Sequence, residues 1–270
     1  MALFLTILGC SSATPTSSRH PSAFVLKSSK RKEYFLIDCG EGTQILMRRA
    51  GVRMQRVTRV FISHLHGDHY FGLIGFIFTQ NLLGRQEELH IYAHKDLEKI
   101  INMHLRVEKM SLSYPLIFHA LKTKKNKSTI LFEDSTIEIS AFPLLHSVPT
   151  SGFLFREKKT GSSKKANAEE CKTFAYCSDT AYTETILPYI KDVDMLYHEA
   201  TFMENMAKVA EEKHHSTAKQ AGEIARLANA KKLLIGHYSA RYNDIVPLLN
   251  EAKEVFPQSY AAIEGIIMKI

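Results

Sequence analysis

Cysteine is scarce, long apolar runs are absent, and no repeat or linker interrupts the chain. The four cysteines in 270 residues, Cys10, Cys39, Cys171 and Cys177, form no C-x-x-C pair, which removes the basis for a disulfide framework or a thiolate zinc site. Any metal must then be held by histidine and carboxylate. No run of eighteen apolar residues occurs, which excludes a membrane-spanning helix. The opening MALFLTILGCSSATPT lacks the charged start and long apolar stretch of a secretion signal. The expectation is a soluble, cytoplasmic protein with no membrane partner, built as a single domain over 1–270. Its 45% apolar content is enough for a sizeable core. The 35 Lys and Arg outnumber the 28 Asp and Glu, and this net +7 favours an anionic partner without identifying it.

Apolar, β-branched runs that end in turn residues recur early, as FLTILG at 4–9, SAFVLKS at 22–28 and EYFLID at 33–38. They predict hairpin-linked strands. TQILMRRAG at 43–51 predicts a short helix closed by Gly51, and TRVFISH at 58–64 predicts a buried strand running into a polar turn. Further strands are expected at LHIYA, STIEISAF, SGFLF, KTFAYCSD, MLYHEA and KKLLIGH. Helices are expected near 70–83, 95–109, 183–190 and 216–229. In the last of these Ser216 is placed to cap, and Ala218, Ala221, Ala225 and Ala228 form a close-packing face. Interspersed strands and helices predict an α/β fold of sheets covered by helices. Residues 156–172, REKKTGSSKKANAEECK, have six basic residues and no apolar periodicity, and predict an exposed loop.

The chemistry concentrates in SHLHGDHYFG at 63–72, which puts His64, His66, Asp68 and His69 within six positions. At a strand end alternate residues point the same way, so His64 and His66 can approach one ion. Gly67 permits a sharp turn, after which Asp68 and His69 can face a second ion. Imidazole and carboxylate suit zinc, and manganese accepts the same donors. Burying such a cluster without a cation would leave costly unsatisfied groups. Three residues at other strand ends can complete two sites: His146 after AFPLL, Asp179 after FAYCS, and His237 after LLIG. Taken singly, each also reads as an ordinary histidine or turn aspartate. Together they give His64, His66, His146 and Asp179 for one ion and Asp68, His69, His237 and Asp179 for the other, with Asp179 bridging. Two such ions, roughly 3.5–4 Å apart, would lower the pKa of a shared water and clamp a phosphodiester.

The H-x-H-x-D-H cluster at a strand end resembles the signature of the metallo-β-lactamase superfamily. That resemblance implies an αββα sandwich of two mixed β-sheets flanked by helices, with metals at one edge. Within the superfamily, LGCSSATPTSSRHPSAFVL, IDCGEGTQ at 37–44, SDT at 178–180, HEATF at 198–202, HST at 215–217 and GHYSARY at 236–242 resemble ribonuclease Z in order and spacing. The resemblance implies a two-zinc endoribonuclease that removes the 3′ trailer from precursor tRNA as a homodimer, leaving a 3′-hydroxyl on the tRNA and a 5′-phosphate on the trailer. It makes Asp68, Glu199 and His215 catalytic. It also places Arg19, Thr201 and Arg241 in loops around the acceptor-stem end.

One departure stands out. Many ribonucleases Z carry a long tRNA-gripping arm between the third metal histidine and the bridging aspartate, whereas 32 residues separate His146 from Asp179 here. Lys158, Lys159, Lys164 and Lys165 form either a short basic arm that meets backbone phosphates or a solvated loop. The short arm motivates an alternative, a metal-dependent phosphodiesterase acting on small esters. A non-catalytic RNA-binding module is a third reading, and the seven assembled ligands argue against it. Whether cleavage falls before or after CCA is left to loop geometry.

Overall fold

Two sheets of seven strands form because strand after strand alternates side chains between two apolar environments. In the third strand, Phe35 and Ile37 face one cluster of buried residues and Leu36 faces another, which is the period-two pattern of a strand covered on both faces. The computed structural model describes residues 2–122, 127–159 and 171–270.

The first half of the chain runs β1 (Leu3–Gly9), β2 (Ala23–Ser28), β3 (Tyr34–Cys39), α1 (Thr43–Arg49), β4 (Val57–Phe61), α2 (Gly67–Leu82), β5 (Leu89–Ala93), α3 (Asp96–Val107) and β6 (Leu116–Ala120). The second half runs β7 (Thr129–Glu133), β8 (Ile137–Pro143), β9 (Ser151–Glu157), β10 (Thr173–Cys177), α4 (Leu187–Ile190), β11 (Met195–Glu199), α5 (Ala207–Lys213), α6 (Ala218–Leu227), β12 (Leu233–Gly236), α7 (Val246–Val255), β13 (Ser259–Ala261) and β14 (Ile267–Lys269). One sheet has the order β14-β1-β2-β3-β4-β5-β6 and the other β13-β12-β11-β10-β9-β8-β7. Both are mixed: β3 to β6 are mutually parallel, as are β10 to β13, and the remaining pairs are antiparallel.

Between the sheets lies an aromatic core. The Phe61 ring stacks on Tyr92 at 4.8 Å and meets Phe153 and Phe155 at 5.5 Å each. Such pairs add roughly 0.5–1.5 kcal/mol each beyond their area burial. Outside the first sheet, Leu73, Phe76 and Ile77 of α2 and Leu97 and Ile101 of α3 pack against Leu36 and Val60. Outside the second, the expected alanine face of α6 is fully buried. The cap of α6 is Thr217 rather than Ser216: Thr217 accepts from the Gln220 amide in a capping box, while the Ser216 hydroxyl donates to the Thr180 carbonyl. The helix expected at 183–190 is a 3-10 turn followed by a single α-turn. Strands β6, β7, β13 and β14 and helices α5 and α7 had no sequence expectation. The expected loop at 156–172 begins later, because Arg156 and Glu157 complete β9.

The parallel strands point their carboxyl ends at one edge of the sandwich, and the chemically loaded residues follow those ends. Asp38 lies in β3, His64 and His66 follow β4, Asp179 follows β10, Glu199 ends β11, and His237 follows β12. Helix α2 brings Asp68 and His69 to the same edge, and its approach depends on Gly72. A methyl group there would lie 2.0 Å from the Gly40 carbonyl oxygen. Gly72→Ala is therefore expected to displace the first turn of α2 and destabilise the fold by about 1–3 kcal/mol, read as a lower urea midpoint. An unchanged midpoint would show that the helix accommodates the methyl group without moving.

Candidate metal centre

Seven side chains from both sheets converge at this edge. His64, His66, His146 and Asp179 place one ligand atom each within 4.8 Å of one another, and Asp68, His69 and His237 do the same. The two carboxylate oxygens of Asp179 divide between the groups. Oδ2 lies 3.6 Å from His64 Nε2 and 3.8 Å from His146 Nε2, whereas Oδ1 lies 3.5 Å from His69 Nε2 and 3.2 Å from His237 Nε2. Asp68 Oδ2 is 3.4 Å from both His69 Nε2 and His237 Nε2.

Four of the histidines are oriented by what their outer nitrogens reach. His69 donates through Nδ1 to Asp38 Oδ2 at 2.7 Å, and His146 donates through Nδ1 to the His214 carbonyl at 2.8 Å. The Ser63 hydroxyl donates to Asp38, so its oxygen is left to accept from His64 Nδ1 at 3.0 Å. In the same way Thr201 donates to Glu199 at 2.5 Å and accepts from His237 Nδ1 at 2.9 Å. Each Nδ1–H is committed outward, so each Nε2 presents a bare lone pair to the centre, the arrangement typical of metal-ligating histidines.

The donor set fits a divalent cation. His66 Nδ1 stands 3.1 Å from His64 Nε2 and 3.2 Å from His146 Nε2, so three acceptors converge where one proton can bridge only one pair. His69 Nε2 and Asp179 Oδ1 are buried with no hydrogen-bond partner among the described residues. Burial depresses the His69 pKa, but Asp179, Asp38 and Asp68 together hold it well above the usual value. A surplus of carboxylate thus demands positive charge at this spot.

Beside the ligands stands a second group. Glu199 is fully buried and accepts from His215 Nδ1 and the Thr180 amide at 2.8 Å each, and from Thr201. Burial would lower the His215 pKa, but the Glu199 carboxylate raises it to about 9. The His215 ring lies 5.1 Å from that of His146 and 5.5 Å from that of His237, facing both halves of the cluster.

The expected substrate contacts are placed differently. Thr201 is 2% exposed and turned inward, so it holds His237 and Glu199 rather than meeting a ligand at the surface. Arg19 donates to the Tyr242 carbonyl and lies 6.0 Å from the Tyr238 ring, which ties the N-terminal loop to the loop after β12. Arg241 is exposed, with its guanidinium 4.9 Å from the Phe202 ring. Lys158 pairs with Glu133, and Lys159 follows it at the end of the described segment. Lys164 and Lys165 lie outside the described residues. In the DCGEGTQ block, Asp38 accepts from Ser63, His69 and Tyr176 while Glu41 is exposed. Only the position of Asp38 at a strand end hinted at this role. Nothing local signalled the His214 carbonyl or Ser63.

A family profile described as the beta-lactamase superfamily domain matches residues 33–238. A protein of Bacteroides thetaiotaomicron named Ribonuclease Z is 39% identical over 303 aligned positions, covering 98% of this chain and 95% of that one. Another of that name, from Azobacteroides pseudotrichonymphae, is 40% identical over 288 positions, covering 98% of each. Both alignments exceed 270 positions, so these relatives have inserted residues that this chain lacks. Among solved structures, the short form of human tRNase Z superposes with a TM-score of 0.83 at 28% identity, covering 98% of both chains.

Thr201→Val keeps the shape but leaves His237 Nδ1 without a partner and removes one of the two donors to Glu199 Oε2, whose other donor is the Thr201 amide. It is expected to weaken metal binding by about 10- to 100-fold in a competition against a fluorescent chelator. Unaltered affinity would mean that His237 needs no support from this hydroxyl.

Proposed function

The chain belongs to the metallo-β-lactamase superfamily and, within it, to the ribonuclease Z family, and from that membership we infer that it is a metal-dependent endoribonuclease removing the 3′ trailer from precursor tRNA. The observation that carries this reading is identity near 40% over 98% of the chain to relatives of that name. The converging donors at the sandwich edge supply the chemistry.

We assign two zinc ions, for which manganese can substitute. His64, His66, His146 and Asp179 would hold one, and Asp68, His69, His237 and Asp179 the other. A pair of divalent cations held there supplies a water of near-neutral pKa and positive charge against the phosphate oxygens. Asp68 accepts the proton of the attacking water as its oxygen bonds to phosphorus. His215, kept protonated by Glu199, gives its proton to the departing 3′ oxygen as the P–O3′ bond breaks. The tRNA leaves with a 3′-hydroxyl and the trailer with a 5′-phosphate. Arg241, Lys158, Lys159, Lys164 and Lys165 are assigned to backbone phosphates, and the basic loop following β9 serves as a shortened arm on this single domain. We extend the reading to a cytoplasmic homodimer on the strength of the family. No helix among the described residues is long and apolar enough to cross a membrane.

End-labelled precursor tRNA incubated with the purified protein is expected to yield one cut, abolished by a chelator and restored by zinc. Asp68→Ala should lose both cleavage and metal stoichiometry. His215→Ala should keep its metal and lose about 10²- to 10⁴-fold in kcat, the usual contribution of a positioned acid. A zinc-loaded protein that spares precursor tRNA but hydrolyses a small chromogenic diester would instead establish the small-ester activity.

A further inference from the structure

A cleft of about 560 Å³ opens beside the cluster, and its walls include Leu145, Tyr182, Lys208, His214, His215 and Gln220 together with one carboxylate, Glu211. Its size suits a ligand site, which typically spans roughly 300–1,000 Å³. Its walls come from four segments: the loop after β8 that carries His146, the loop after β10 that carries Asp179, α5 with the turn after it, and the first turn of α6. The Ala181 amide donates to the Leu145 carbonyl at 2.8 Å, joining the first two. The third is joined through His214, whose left-handed backbone (φ 56°) presents its carbonyl to His146. The cleft is thus held at a set distance from the ligands.

Its chemistry suits a nucleotide. Tyr182 packs partly against the core, so its ring offers an aromatic platform. Aromatic platforms of this kind stack single-stranded bases. Lys208 is exposed and has no hydrogen bond or ion pair among the described residues. Gln220 accepts from the Thr217 amide through its carbonyl oxygen, so its NH2 group remains available to a base edge.

Which nucleotide enters follows from the position of the acid. His215 lines the cleft, and a proton donor must stand beside the oxygen that departs. That oxygen is the 3′ oxygen of the nucleotide retained by the tRNA. We propose that this cleft binds the last retained nucleotide of the tRNA, its base stacked on Tyr182 and its 5′ phosphate facing Lys208. The proposal rests on the precursor-tRNA reading and adds the residue that seats the cleaved end.

The test is a coupling measurement with the metal-loaded full chain. Wild type, Tyr182→Ala and Tyr182→Phe are assayed on precursor tRNAs whose last retained nucleotide is intact or abasic. In a parallel set the first trailer nucleotide is abasic. Wild type is expected to lose about 10- to 100-fold in kcat/KM on the abasic end, the scale of one base–aromatic stack. Tyr182→Ala should lose a similar factor on intact substrate and nothing further on the abasic one, while Tyr182→Phe retains wild-type behaviour. A merely structural role for Tyr182 would make the two losses multiply, and that outcome overturns the proposal. Coupling to the first trailer nucleotide would overturn it too, by placing the other side of the cut in the cleft. Failure of wild type to cut any precursor tRNA, with hydrolysis of a small diester intact, would remove the function reading itself.

Discussion

Lone pairs concentrated beyond what protons can satisfy are the constraint on which this molecule is built. His66 Nδ1 lies within 3.2 Å of two other imidazole nitrogens, and a carboxylate with one orphaned oxygen lies between them and a second group. Bringing so many acceptors and negative charges out of water is unfavourable unless a cation joins them. Much of the surrounding structure can be understood as holding these groups together against that cost. The sandwich contributes by ending its parallel strands at one edge, where loops from both sheets meet.

The holding is done by hydrogen bonds directed outward from the ligands. Asp38 illustrates the economy of the arrangement, since one fully buried carboxylate accepts from the backbone and hydroxyl of Ser63, from His69 and from Tyr176. Through Ser63 it also orients His64. Thr201 does the same on the other sheet, joining His237 to Glu199 and through it to His215. Backbone strain gathers in these places. Asp38, His214 and His237 all have positive φ, a conformation that costs a non-glycine residue roughly 1–3 kcal/mol and tends to accumulate where function requires it.

Much of this was legible along the chain. Strands β1, β2 and β3, the helix at α1 and the H-x-H-x-D-H turn follow from periodicity, because each is a local pattern of apolar and polar residues. The short strands β13 and β14 carry too few residues for any period to register. Helix α7 opens with Val-Pro and buries only Leu248 and Ala252, so its pattern is faint. Thr217 was missed as the cap of α6 because Ser216 beside it has the same capping chemistry. The choice was made by Thr180, a residue 36 positions away, whose carbonyl takes the Ser216 hydroxyl.

The same division runs through the site. By itself the sequence determined the kinds of donor and their delivery to strand ends, because alternation along an extended segment decides which neighbouring side chains can face one point. Where the sequence predicts a sharp turn, Gly67 is instead the first residue of α2, which carries Asp68 and His69. The sequence also marked the family, through motifs spread over nearly the whole chain. Only the tertiary structure decided which atoms of those residues face inward, that Thr201 is buried against His237 and Glu199, and that Tyr182 and His214 wall a cleft beside His215. Each of these depends on hydrogen bonds and packing between segments far apart in the chain, and no local pattern of residues encodes a partner that folding alone brings into reach.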